Sequence, residues 1–223
     1  MDTTTRTTTT TATSNLLSGL RVAVDVQHLF RPTPRAQDRG ARYVLAASGA
    51  HVNEADLVLL YAQSLSTALE RGGAQVLTNR PTTLTLVGTY GDRNLAAASW
   101  GAHAYLACHM NAGGGSYART EHMSMSPGAE LGVAIGWRLT RAFHVIRFKP
   151  ADHVVALHWA DRGAVCIRAC PARVAAVIVE PCFGDNPAHQ PLLLAPKLAQ
   201  MGEAIAQGVA DWWVASHIRV TPA

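Results

Sequence analysis

Charged residues are scarce in this chain, and so are aromatic rings and cysteines. Asp, Glu, Lys and Arg make up 15% of the 223 positions, and Phe, Trp and Tyr together 6%. With 48% apolar residues, this composition excludes a disordered polyelectrolyte and is enough for one substantial core. The four cysteines, Cys108, Cys166, Cys170 and Cys182, contain no CxxC pair. Buried thiols of a reducing compartment are therefore favoured over a zinc knuckle built from Cys166, Cys170 and Cys182. No apolar run approaches the roughly 18 to 20 residues that a membrane-spanning helix needs, so no membrane anchor is expected. Nothing interleaves basic residues with aromatics, and a formal net charge of +4 is only mildly basic. A nucleic-acid partner is accordingly not expected.

Residues 1–18 are threonine-rich and without an apolar segment, which reads as a disordered tail and not as a secretory signal. A single domain over 19–217 and a short tail over 218–223 are expected, with no internal repeat. Val22 to Val26, Ala104 to Cys108 and Val174 to Val179 are short apolar runs that suit buried strands. The segment from His51 to Gly73 is the clearest helix, with Val58, Tyr61, Leu65, Ala68 and Leu69 on one face, Asn53 as its cap and Gly72 and Gly73 at its end. Ala74 to Thr78 reads as a further strand, and Asp92 to Ala98 as the start of another helix. Pro127 opens a helix to about Phe143, which Ser126 can cap, and a last helix from Pro196 aligns Leu198, Met201, Ile205, Val209 and Trp212. Arg31 to Arg42 and the polar stretch Ser116 to Ser126 read as loops, the second as a mobile one over the site. Between Lys149 and Arg173 the pattern fits either short strands or a loop. The alternation of strands and helices argues for an α/β fold with a largely parallel sheet.

The chemistry sits where these strands stop. His109 follows the run Ala104 to Cys108 and precedes Asn111 and three glycines; His28 lies two residues beyond Val26; Glu180 directly follows Val179. Carboxyl ends of adjacent parallel strands are where open α/β sheets place their sites, and a carboxylate at such an end needs a cation, a metal or water to justify its burial. Glu54, at the start of the predicted helix, is read from spacing alone as complementing the helix dipole; the alternative is that the helix start points it into the same site.

The order of these residues is also familiar. VAVDVQH, NEADLVLLYAQSLSTALERGGAQVLTNR, DRNLAAASWGAHAYLACHMNA and VAAVIVEPCFGDNPAHQPLL resemble, in sequence and interval, the motifs of the zinc-dependent N-acetylmuramoyl-L-alanine amidases of the amidase-3 family, across nearly all of residues 20–215. The resemblance implies a twisted, mostly parallel six-stranded sheet flanked by helices. It implies Zn2+ held by His28, Glu54 and His109, with Glu180 as the catalytic carboxylate. Its substrate would be peptidoglycan, cut between N-acetylmuramic acid and L-alanine. Two imidazoles and one carboxylate suit catalytic zinc and leave a fourth position open for water. Asn111 is expected to contact substrate or to brace the His109 loop. The family usually carries glycine on both sides of the first histidine, where this chain has Gln27 and Leu29, and Cys108 before the second is also a departure. With no secretory signal in view, a phage endolysin is the expected setting, held in the cytoplasm and reaching the wall through a membrane lesion; an autolysin freed by mother-cell lysis has the same profile. A catalytically silent wall-binding module and a zinc peptidase acting on other peptides are the competing readings.

Overall fold

The computed structural model of the chain describes residues 15–29, 39–79, 86–124 and 126–217. In chain order the elements are β1 (Arg21–Val26), β2 (Arg42–Val44), β3 (His51–Asn53), α1 (Glu54–Arg71), β4 (Gln75–Thr78), α2 (Tyr90–Trp100), β5 (Ala104–Cys108), β6 (Arg119–Met123), α3 (Gly128–Ala142), α4 (Pro150–His153), β7 (Val154–Leu157), β8 (Ala175–Glu180) and α5 (Ala195–His217). Six strands form one sheet in the order β4-β1-β5-β8-β6-β7, while β2 and β3 pair as a separate antiparallel ribbon. Strands β4, β1, β5 and β8 run parallel; β6 pairs antiparallel with β8 and parallel with β7. The fold is thus the expected mostly parallel six-stranded α/β sheet.

Both faces of this sheet are buried, which is why its central strands are apolar runs without alternation. Val22, Val24 and Val26 pack with Leu106 and Val177 against α1, α3 and α5, while Ala23, Tyr105, Ala107 and Ile178 face the opposite way among Leu86, Ala97 and Ile167. Helix α5 carries the face read from the sequence: Leu198, Met201, Ile205 and Val209 are wholly buried and Trp212 nearly so. Burial of each contributes roughly 1.5–3 kcal/mol. Two glycines let this helix lie close to its neighbours. A Cβ at Gly202 would sit 2.6 Å from the Leu65 nitrogen, and one at Gly208 would sit 2.5 Å from the Ile135 Cα.

The structure departs from the sequence reading in four places. Residues 15–18, assigned to the tail, form a turn in which Leu17 is 4% exposed and its N–H donates to the Gly72 carbonyl at 3.0 Å. Ser116 to Ser126 is no mobile loop, because β6 runs through it. RTEHM shows no apolar alternation, since one of its faces lines the site and the other lies under α3, where Gly132 abuts Thr120. The ambiguous segment resolves into α4, β7 and a 3₁₀ turn over Arg162–Cys166. Finally, Asn53 precedes α1 but its side chain does not cap the helix. The first free N–H groups of α1 are taken by backbone instead: Glu54 donates to the Ala41 carbonyl (2.7 Å) and Ala55 to that of Arg39 (3.1 Å). Residues 1–14, 30–38 and 218–223 lie outside the described residues, and with them most of the N-terminal tail, all of the C-terminal tail and much of the arginine-rich loop.

One buried feature has no apolar counterpart. Asp25 is 0% exposed near the end of β1, and its carboxylate accepts from Arg93 Nε (2.9 Å), Asn79 Nδ2 (2.7 Å), Gln27 Nε2 (2.6 Å) and the Tyr105 hydroxyl. An unpaired carboxylate there would cost several kcal/mol; four donors, one of them a cation, offset that cost. Asn79 also brackets the end of β1, accepting from the Val26 N–H at 2.8 Å and donating to the Val26 carbonyl at 3.0 Å.

Candidate functional site

The parallel register sets the site. Val26, Cys108 and Val179 lie side by side on β1, β5 and β8, so the chain leaves the sheet at neighbouring points carrying His28, His109 and Glu180. His28 is the one non-glycine residue with positive φ among the described residues, at φ 60°. That left-handed turn costs roughly 1–2 kcal/mol for an L-residue. It follows β1 directly, and the imidazole lies beside Glu54, with Nε2 3.7 Å from Oε1.

Glu54 enters from the first turn of α1 and is 5% exposed. Its Oε1 lies 2.9 Å from His109 Nδ1 and accepts from the Met110 N–H at 3.1 Å, while Oε2 accepts from the Ala41 N–H at 3.0 Å. Burial raises the affinity of this carboxyl for a proton. The hydrogen bond and charge of His109, the charge of His28 and the Ala41 N–H outweigh burial and hold it below the ordinary carboxylate range. The same pair is seen from His109: burial pushes the imidazole down, yet its contacts with Cys166 and Glu54 raise it to about 10. The two imidazole rings stand edge to face, 5.1 Å between centroids.

Two tyrosines fix the backbone beside the second histidine. Tyr61, from the buried stripe of α1, donates to the His109 carbonyl at 2.7 Å; Tyr43, from β2, donates to those of Met110 (2.7 Å) and Asn111 (3.1 Å). The glycine turn that follows is tied down by Asp185, which accepts from the Gly113 and Gly114 N–H groups at 2.7 and 3.0 Å. The Asn111 side-chain amide donates to Glu180 Oε2. Burial, and after it the charge of Glu121, raises the Glu180 carboxyl to about 7 against the opposing pull of His109 and Arg119. Glu121 is itself paired with Arg119 Nε at 2.6 Å.

Ligand atoms of His28, Glu54 and His109 all lie within 4.8 Å of one another, a spacing at which one ion can be shared, and they are the one such group among the described residues. Two imidazoles, once an ion displaces the proton that His109 holds, and a carboxylate are a donor set for a borderline divalent metal. The three open onto a cleft of ≈ 640 Å³ whose walls include Asn111, Glu121, Arg162, Cys166 and Glu180. A larger hollow of ≈ 760 Å³, around Trp137 and Trp212 between α3 and α5, contains neither histidine nor cysteine among its lining residues.

The chain matches the family model for N-acetylmuramoyl-L-alanine amidases over residues 22–211. It belongs to that amidase-3 family. Solved structures agree in fold. The N-acetylmuramoyl-L-alanine amidase AmiC2 of Nostoc punctiforme superposes with a TM-score of 0.66 at 21% identity, covering 87% of this chain and 98% of its own. An N-acetylmuramoyl-L-alanine amidase from Clostridium difficile 630 gives 0.67 at 20% identity over 89% and 98%. Ami1 of Mycobacterium smegmatis gives 0.64 at 16% over 89% and 99%. No curated protein sequence matches at a significant level. The amidase is a hydrolase, and its family implies a peptidoglycan substrate and a metal-dependent site, for which His28, Glu54 and His109 are the available donors.

Sequence reasoning missed Glu121, Arg119, Arg162 and Cys166 as cleft residues or their partners, and the two tyrosines as braces. Spacing alone assigned Glu54 to the helix dipole, and the family resemblance was needed to make it a ligand candidate. Its neighbour Gly40 supplies a test. Gly40 has φ +77, and a Cβ there would overlap Glu54 Oε2 and lie 2.7 Å from the Glu54 Cβ. Gly40→Ala is expected to displace the carboxylate and weaken metal binding about 10- to 100-fold, read by competition with a chromophoric chelator. Unchanged affinity would mean that Glu54 does not hold the ion.

Proposed function

We propose that this amidase hydrolyses the bond between N-acetylmuramic acid and L-alanine, with zinc held by His28, Glu54 and His109 and with Glu180 as general base. The observation that carries the reading is the convergence of two imidazoles and one carboxylate at the ends of β1 and β5 and the start of α1. The end of β8 brings a second, separately tuned carboxylate into the same cleft. Zinc bound there supplies Lewis-acid polarisation of the amide carbonyl and a water whose pKa falls to about 7.

Glu180 is suited to move protons at neutral pH because its own affinity is shifted to about 7. It takes the proton of the attacking water on a carboxylate oxygen and delivers it to the departing alanine nitrogen. The Asn111 amide, bonded to one Glu180 oxygen, orients the carboxylate, so Asn111 is read as a brace for the site. Tyr43 and Tyr61 keep the His109 turn from moving when substrate enters. Glu54 serves as ligand while the Met110 and Ala41 N–H groups hold its two oxygens in place.

Digestion of purified sacculi with and without a chelator tests this reading. Free amines on alanine are expected in the products, with release abolished by the chelator and restored by added zinc. Other new termini would identify a peptidase acting elsewhere in the stem, and cleavage insensitive to the chelator would remove the metal from the chemistry.

A further inference from the structure

We propose that Gln27 is a positioning residue for His28, clamping it through a closed ring of hydrogen bonds with Asp25 and Arg93. This inference rests on the reading of His28, Glu54 and His109 as the metal site. Gln27, directly before His28, carries a long polar side chain that is 0% exposed. Burying an amide in a sheet is unfavourable unless its donor and acceptor are both used. Here both are. Gln27 Nε2 donates to Asp25 Oδ2 at 2.6 Å, and Gln27 Oε1 accepts from Arg93 Nη2 at 3.5 Å. Arg93 Nε donates to the same Asp25 oxygen at 2.9 Å, so the three side chains close on one another.

The position of this ring gives it leverage. Asp25 is the last residue but one of β1 and Gln27 the first beyond it, and the next residue turns left-handed at φ 60°. A side chain able to adopt that φ without strain would be glycine, but glycine cannot ligate. The strain at His28 therefore needs a restraint on the residues before it. On the main chain, Gln27 donates to the Cys108 carbonyl at 3.2 Å, extending the β1–β5 ladder one residue beyond the strand. Side-chain and backbone bonds thus fix Gln27 from two directions, and the rotation permitted at His28 is the one that brings its ring next to Glu54. Arg93 arrives from α2, which makes that helix part of the support for His28. The ring has no ionisable role in this account; it acts by geometry, as supporting hydrogen bonds of metal ligands do.

The test is zinc affinity of the metal-stripped full chain, measured by competition with a chromophoric chelator. Gln27→Met keeps the volume and removes both hydrogen bonds. It is expected to weaken zinc about 10- to 100-fold and to alter the visible absorption of the cobalt(II)-loaded protein, which reports ligand geometry. Arg93→Lys keeps a cation beside Asp25 but lacks the second nitrogen for Gln27, and it should weaken zinc in the same direction. This second variant decides the matter if Gln27→Met does not fold. Ile205→Val, a truncation in the distant α5 core, should leave zinc affinity unchanged and separates positioning from general destabilisation. Parent-like affinity and cobalt spectrum in a folded Gln27→Met, or parent-like affinity in Arg93→Lys where Gln27→Met is unfolded, would overturn the role of Gln27 and leave the metal site standing. A parent chain that binds no zinc would overturn the metal-site reading and this inference with it.

Discussion

Glu180→Gln is expected to bind zinc like the parent and to lose about 10² to 10⁴ of its rate on peptidoglycan. The substitution preserves shape and still accepts the hydrogen bond from Asn111, so the cleft is not rebuilt. What disappears is the oxygen that takes a proton from water. A variant of undiminished rate would remove Glu180 from proton transfer. Stability provides a second, independent readout in metal-free protein. Because burial and the Glu121 charge raise Glu180 from 4.5 to about 7, the folded chain holds a proton over that interval which the unfolded chain releases. The stability this group contributes is therefore complete below about pH 4.5 and is lost as the pH rises through 7. Glutamine escapes that loss. At pH 8 the metal-free variant should resist urea better than the parent, by at most about 3 kcal/mol, and at pH 4 the two should match. Equal urea midpoints at both values would show that the carboxyl is not strained by its surroundings.

His109→Ala should lose both the metal and the activity. Under the proposed ligand set, the change leaves Glu54 and His28 alone, and because a catalytic zinc would supply several kcal/mol to hydrolysis of this kind, a fall of roughly 10³-fold or more is expected. Glu54 suffers as well. It loses the partner at 2.9 Å that offsets its burial and keeps His28 at 3.7 Å with the Met110 and Ala41 N–H groups. Metal analysis of the purified variant checks the assignment directly: one zinc per chain after dialysis would mean that another group completes the site.

The parts of the fold that could be read from the residues are those in which a single segment holds its own signal. β1, β5 and β8 are apolar over their whole length because both faces of the sheet are covered, and α1 and α5 bear stripes that match their buried faces. β6 could not be read in this way. Its residues, Arg119 to Met123, become a strand through pairing with β8, and its charges face the cleft, so neither alternation nor propensity marks it. The pair Glu121 and Arg119 went unnoticed for the same reason. Asp25 lies inside an apolar run, and donors distant in the chain, Arg93 at 68 residues among them, make its burial intelligible. Glu54 sits where a dipole-complementing acid would sit, and its true neighbours come from segments 13 and 55 residues distant. Local pattern reveals elements, whereas the site depends on which elements meet.

The strand order carries a consequence for how the molecule is made. β8, the last strand in chain order among the described residues, is also the one that joins β4-β1-β5 to β6-β7. Without it the sheet would divide into two fragments, with the facing backbone edges of β5 and β6 unpaired. Pairing of β8 covers those two edges and brings Glu180 to the cleft in the same event, so under the proposed function the proton-moving carboxylate arrives with the completed sheet. A chain released before residue 175 would have neither.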